Sequence, residues 1–283
     1  MIGRGKVKKQ VVNKCQNCGN EYTKNYCNSC GQKIFTANDK SIKHIFEEAF
    51  HFITHFEGSF FTTFKTVLFK PSKLTLDYCN GVRKKYFKPI SFYLFLVVLY
   101  LLFPIFSGLN MEMGSYTSLP IIGKTVSHQI EQRTTQANIT EDKLAEKFEH
   151  KSHSTSKILL LTLIPLTSFL LKMLYWRKNK DWYKNLILAT EINIFYLLLF
   201  FLIFPIIYIS ILLLFRLNDL NDELIGTITT ILFGIYTSVV FRNVFKSKRW
   251  VSIMKGFLFA FIHTFLIIYI YKILVFQLTF LLI

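Results

Sequence analysis

The chain has 283 residues, 52% of them hydrophobic, with 30 Phe, 14 Tyr, a mean hydropathy of +0.35 and a formal net charge of +17. The apolar residues gather into long stretches with few or no charges, which excludes an ordinary soluble domain and points to a mainly α, multi-span helical membrane bundle. Five cysteines, four of them between residues 15 and 30, exclude a secreted disulfide framework.

Residues 1–14 form a basic arm with Arg4, Lys6, Lys8, Lys9 and Lys14. No apolar run follows those charges, so no cleavable signal peptide is expected and the N-terminus is expected in the cytoplasm. Residues 1–88 hold 16 basic and 6 acidic groups. Such an excess suits anionic lipid head groups or nucleic acid. Tethering to a membrane favours lipid, and the arm lacks the patterned aromatics of a base-stacking surface.

Residues 15–33 carry two CxxCG knuckles, Cys15/Cys18 and Cys27/Cys30, with "GNEYTKNY" between them. Each knuckle can set two thiolates on one edge of a tetrahedron, so the four cysteines predict a Cys₄ zinc ribbon. Iron in the same S₄ geometry and a redox dithiol are the alternatives. Gly19 and Gly31 relieve the tight turns, and Tyr22 and Tyr26 are placed to pack over the site. Roughly 20 residues build too small a core to fold alone, so Zn²⁺ is expected to be structural, in a closed site without an open position for catalysis. Cys79 stands outside this module and reads as a packed small residue.

Over 41–70 the apolar residues recur at three- and four-residue steps, predicting amphipathic interfacial helices broken at Gly58, with packing on the bundle's own cytoplasmic face as the alternative. His51 and His55 share a helical face there, but no third metal ligand accompanies them. Pro71 is expected to open a short helix and Gly81 to cap its end in the left-handed region. Arg83, Lys84, Lys85 and Lys88 then stand at the membrane edge before Pro89, suited to phosphate head groups and marking that side as cytoplasmic.

From residue 89 to 283 the sequence predicts five spans, at about 89–107, 157–176, 185–215, 224–242 and 255–276. The third is longer than a bilayer requires, an excess that tilt or a kink at Pro205 would absorb. The connection 108–156 is polar and near neutral, 177–184 has a net charge of +3, 216–223 of −2, and 242–255 has five cations and no acid. Positive charge thus alternates with each crossing, which puts the N-terminus inside and the C-terminus outside. The 108–156 segment is expected to be external, and its His128, His150 and His153 read as surface residues.

Three ionisable residues fall inside spans at similar depth: Lys172, Glu191 and His263. Glu191 lies about six residues, or ~9 Å, below the cytoplasmic helix end. Buried charge in lipid needs a partner, so an inner-leaflet polar cluster of these three is the candidate intramembrane site. The competing reading is structural, with Lys172 extending to the interface. Nucleotide-binding and hydrolase motifs are absent from the sequence.

Taken together, Cys15, Cys18, Gly19, Tyr26, Cys27, Cys30, Gly31 and Gln32, followed by Pro71, Tyr78, Gly81, Arg83, Tyr86 and Pro89, resemble an uncharacterised family of bacterial membrane proteins. Its members begin with a CxxCG…YCxxCGQ zinc ribbon and continue through an amphipathic helix and a Y…GxRxxYxxP segment to several membrane spans. The later "IYTSVVFRNVF" (235–245) resembles a further family segment. The family often opens its third span with a histidine-bearing stretch; here "YKNLILATEINIF" has Asn185, Glu191 and Asn193 instead. The resemblance implies a bacterial inner-membrane protein and no established activity. The leading expectation is a non-enzymatic scaffold or sensor that recruits a protein partner or lipids at the inner face. The runner-up is a small transporter lined by Glu191 and His263. A lipid-modifying enzyme, with a pocket near Arg83, Tyr86 and Glu191, comes third.

Overall fold

A computed structural model describes residues 13–23, 25–34, 58–102, 111–120, 122–178, 180–215 and 222–283. The predicted helix over 41–57, most of the basic arm and the far end of the first span lie outside the described residues. The described chain is mainly helical, with one two-stranded sheet in the cysteine module.

That sheet pairs β1 (Asn13–Lys14) with β2 (Glu21–Tyr22) in antiparallel register, Asn13 opposite Tyr22. Next come α1 (Gly58–Phe69), α2 (Lys73–Cys79) and α3 (Pro89–Leu102). A 3₁₀ turn at Gly114–Ser118 leads into α4 (Gly123–Ala137) and the long α5 (Glu141–Leu174). Helix α6 (Trp182–Leu198) runs through a π-helical turn, Leu199–Ile203, into α7 (Phe204–Phe215). Helices α8 (Asp222–Phe245) and α9 (Arg249–Phe265) form a hairpin, and a second π turn, Leu266–Tyr271, joins α9 to α10 (Lys272–Leu281).

The chain punctuates α2 through its backbone chemistry. Asn80 is the C-cap, Gly81 follows at φ +93, its N–H donates to the Tyr78 carbonyl, and the Val82 N–H donates to Asp77 at 2.9 Å. Those two bonds are a Schellman motif, which satisfies carbonyls the helix end would otherwise orphan. Upstream of Pro205 the π turn widens the helix where a proline ring would otherwise press on the carbonyl four residues back. Helix α5 is bent by 44° between Ser156 and Ile158, so the amphipathic patch near 140–150 and the second apolar stretch share one bent helix.

Helix α6 is the hub. Every residue from Asn185 to Leu199 is buried, the signature of a helix enclosed on all sides. Helices α1, α2, α3 and α5 all pack on it. Helix α1 buries Thr63, Thr66 and Val67 against the bundle, and Phe60 meets Phe87, Phe92 and Phe95 edge-on at 4.9–5.9 Å. Phe61 and Phe69 remain outward.

Among the described residues two helices, Gly226–Phe245 and Arg249–Leu281, are long and apolar enough to cross a membrane, and the bent Glu141–Leu174 pair makes a third if it is one span. The α8–α9 hairpin relies on small residues. Ser238 on α8 faces Gly256 on α9, Gly234 lies against the Phe257 ring, and the Thr237 hydroxyl donates to the Gly256 carbonyl at 3.0 Å. Small residues let two backbones approach closely where no hydrophobic effect drives them together.

A Cβ on Gly256 would lie 2.2 Å from the Ser238 Oγ and 2.7 Å from its backbone, whereas a Cβ on Gly226 meets nothing. Gly256→Ala is therefore expected to lower the apparent Tm of the detergent-solubilised protein by ~5 °C or more, from an overpacking cost of about 1–3 kcal/mol. Gly226→Ala shifts it by ~1 °C at most. Equal melting curves for both variants would contradict the close-packed hairpin.

Candidate metal centre and the buried polar contacts of the bundle

In each CxxCG knuckle the glycine N–H returns to the first cysteine: Gly19 to Cys15 and Gly31 to Cys27, both at 2.8 Å. The cysteine N–H groups donate onward to Asn20 and Gln32, also at 2.8 Å. Both glycines have positive φ, +82 and +68. The two halves repeat one backbone design and converge on one point. The four Sγ atoms lie within 4.8 Å of one another, with Cys15–Cys30 and Cys18–Cys27 each at 3.5 Å. A tetrahedral ion with ~2.3 Å metal–sulfur bonds needs edges of about 3.8 Å, so this donor set fits one metal ion.

Local electrostatics already favour a thiolate. Cys27 is held down to about 6, chiefly by the Cys30 backbone N–H and further by that of Ser29. The Asn20 N–H pulls Cys18 down too, but desolvation and the thiols of Cys27, Cys30 and Cys15 push it up to about 12. Packed thiols share protons until a cation replaces them. Tyr22 packs beside Cys15 and Cys27 as expected. Tyr26 does not: it is 58% exposed and bridges Lys33 through its backbone instead.

Gln32 joins this module to the bundle. Its side-chain Nε2 donates to the Gly81 carbonyl, and its Oε1 accepts from the N–H groups of Arg83 and Lys84, both at 3.3 Å. One amide side chain thus satisfies three backbone groups of the turn that follows α2, and it is buried in doing so. In the sequence Gln32 is only the last letter of the CxxCGQ motif. Nothing in its spacing points to a partner 49 residues away.

The basic segment divides. Arg83 turns inward: its guanidinium donates to the Tyr183 hydroxyl and lies 4.9 Å from the Tyr78 ring and 5.5 Å from that of Tyr183. Lys84 and Lys85 are exposed, Lys85 against the Tyr86 ring, and Lys88 is half-buried. The Tyr86 hydroxyl donates to Asp77 at 2.6 Å. Burial, then that bond, hold its own proton on well beyond the usual phenol range. Cys79 is pushed up to about 12 by burial, which keeps the thiol protonated and unreactive.

The three intramembrane candidates have separate partners. Glu191, fully buried on α6, accepts the backbone N–H of Thr75 at 2.8 Å and the Thr75 hydroxyl, both on Oε2, while its Oε1 makes no hydrogen bond among the described residues. Thr75 is the third residue of α2, so this carboxylate completes the N-terminus of a neighbouring helix whose own cap, Ser72, makes no such bond. His263 sits on α9 with Nε2 at 3.2 Å from the Thr167 hydroxyl and 3.3 Å from Asn193 Oδ1, ringed by Tyr196, Phe233 and Phe259. Asn193 also holds Thr167 and the Ala189 carbonyl, and Asn185 holds Ser168. Lys172 lies 3.3 Å over the Trp182 ring near the helix end. No hydrogen bond or ion pair joins Lys172, Glu191 and His263 to one another among the described residues.

Residues 57–101 match a family described as a protein of unknown function (DUF3667). No curated protein and no solved structure matches the chain. The matched stretch contains α1, α2, the Gly81–Lys84 turn that Gln32 grips, and most of α3.

Two substitutions separate the metal site from its attachment. Gln32→Ala should leave metal content, measured by elemental analysis, unchanged, while amide exchange at Arg83 and Lys84 rises about tenfold. Cys27→Ser should abolish stoichiometric metal. For Glu191, Gln keeps an acceptor for Thr75 and Leu does not. Glu191→Leu should therefore unfold at lower denaturant than Glu191→Gln, by about 1–3 kcal/mol.

Proposed function

We propose that the protein is a scaffold or sensor of the bacterial inner membrane, in which a Cys₄ zinc ribbon is latched onto a basic juxtamembrane turn at the cytoplasmic face and recruits a protein partner or anionic lipid there. The observation that carries this reading is the Gln32 latch, because it makes the position of the Gly81–Lys84 turn depend on a module that only a metal ion folds. Zinc is the ion that four thiolates in a closed tetrahedron fit best. The site leaves no coordination position for a substrate, in keeping with a binding rather than a catalytic role. Sealed surroundings around Glu191 and His263 agree with a packed bundle.

On this reading the bundle crosses the membrane five times, with its basic segments on one side. The start of α3, the end of α5, the start of α6, the end of α8 and the start of α9 carry the basic segments. Contacts link them at one pole: Arg83 to Tyr183, Lys178 to the Phe245 carbonyl, Lys255 to the Leu174 carbonyl. Phe276, near the chain's end, packs instead with Tyr116 and Phe148 of the polar 108–156 segment. The basic pole is read as cytoplasmic and the other, with the C-terminus, as external.

The second reading, a small transporter, draws on the Glu191 Oε1 and His263 Nδ1 atoms inside the bundle, which have no hydrogen-bond partner among the described residues. It requires Glu191→Gln to abolish a transport-linked phenotype while the protein stays folded.

Two measurements test the leading reading. A cysteine introduced at Ser118 in a cysteine-free bundle is expected to react with an impermeant maleimide on intact cells, and one at Lys248 only after permeabilisation. Reaction of both from outside would refute the orientation. A photo-cross-linker at exposed Glu21 on the ribbon should give adducts that vanish in Cys27→Ser but persist in Gly226→Ala. Adducts indifferent to the metal site would remove the recruitment role.

A further inference from the structure

The basic pole contains a second feature that the ribbon and its turn do not use. Between the end of α5 and the α8–α9 turn lies a cleft of about 440 Å³, lined by Tyr175, Arg177, Lys178, Ser247, Lys248 and Lys255 among others. Four of its residues are cations and none is a carboxylate. Concentrating like charge in this way is unfavourable unless an anion enters.

Two of the cations are fixed in place. The Lys178 ammonium donates to the Phe245 carbonyl at 3.2 Å and that of Lys255 to the Leu174 carbonyl at 2.8 Å, so each closes the end of a helix. Lys255 also lies 4.2 Å over the Tyr175 ring, which stacks on Phe245 at 4.0 Å. An ammonium has three donors, and each of these lysines is held through one carbonyl. Arg177 and Lys248 are exposed at the mouth. Apolar groups share the lining, Leu174, Trp176 and Val251, with Trp176 70% exposed, and on the helix that carries Lys255 the side chains of Trp250 and Met254 are 81% and 69% exposed.

We propose that this cleft binds the phosphate of an anionic phospholipid, with Lys178 and Lys255 as the positioned donors, Arg177 and Lys248 at the entrance, and the acyl chains against the Trp- and Met-bearing helix surfaces. A soluble phosphate has no use for the apolar rim. A lipid needs both parts, a cationic head-group seat and an apolar wall leading into the bilayer. The site is separate from Lys84 and Lys85 and does not depend on the ribbon. It requires only that this end of the bundle lie at a membrane surface.

Native mass spectrometry of the full-length protein in detergent, titrated with phosphatidylglycerol or phosphatidylcholine, tests it. Wild type is expected to retain phosphatidylglycerol over phosphatidylcholine by about tenfold, and Arg177→Gln/Lys248→Gln to lose that preference. Both replaced side chains are exposed and outside the Lys178 and Lys255 bonds, so the fold is preserved, which an unchanged Tm confirms. Lys84→Gln/Lys85→Gln should keep the preference. Equal retention of the two lipids by wild type, an unaltered preference in Arg177→Gln/Lys248→Gln, or an equal loss in both double variants would overturn the site. Displacement of phosphatidylglycerol by millimolar inorganic phosphate would overturn its assignment to a lipid.

Discussion

A carboxylate enclosed by protein on every side must find donors, because neither water nor lipid can supply them. Glu191 finds them in Thr75, and much of the architecture follows from that pairing. The bond forces the seven-residue α2 down onto the central helix, where Leu74, Thr75 and Tyr78 are buried. Conversely, a helix this short is marginal by itself, and its first turn leaves N–H groups that Ser72, in the left-handed region, does not cap. Each element thus supplies what the other lacks.

The far end of α2 is treated with equal economy. The Schellman turn at Gly81 satisfies the last carbonyls internally, and its outer face then offers one carbonyl and two N–H groups in an array that a single glutamine amide can answer. The four-cysteine module reaches the helical bundle through a side chain placed two residues after Cys30. An ion held by the four cysteines would therefore also order Gln32, and polar contacts run from this module through the turn to Arg83 and Tyr183 at the start of α6.

Elsewhere the bundle is held by close packing and short polar links. Small residues bring α8 and α9 together, Asn185 and Asn193 tie α6 to Ser168 and Thr167 of α5, and lysines close the ends of α5 and α8. Amide and hydroxyl pairs of this kind are modest individually, about 0.6 kcal/mol on average inside membranes. Their effect is to set one rotation of each helix against the next, which apolar contacts alone leave loosely defined.

The sequence by itself determined the four-cysteine module, because ligand chemistry demands that spacing, and the helical class, because long uncharged stretches have few other folds. It also determined the left-handed cap at Gly81, which depends on local residue type. Only the tertiary structure decided what Glu191 does. In isolation it is an acid at a given depth; whether it meets Lys172, His263 or Thr75 depends on how α2 folds back, a contact across 116 residues. The same holds for Gln32 and the Gly81 turn, for Tyr26 facing outward while Tyr22 packs inward, and for the joining of residues 174–178 and 247–255 into one cationic cleft. Periodicity and composition report a residue's own helix and face, whereas these features depend on the rotation and depth of a second helix, which packing sets.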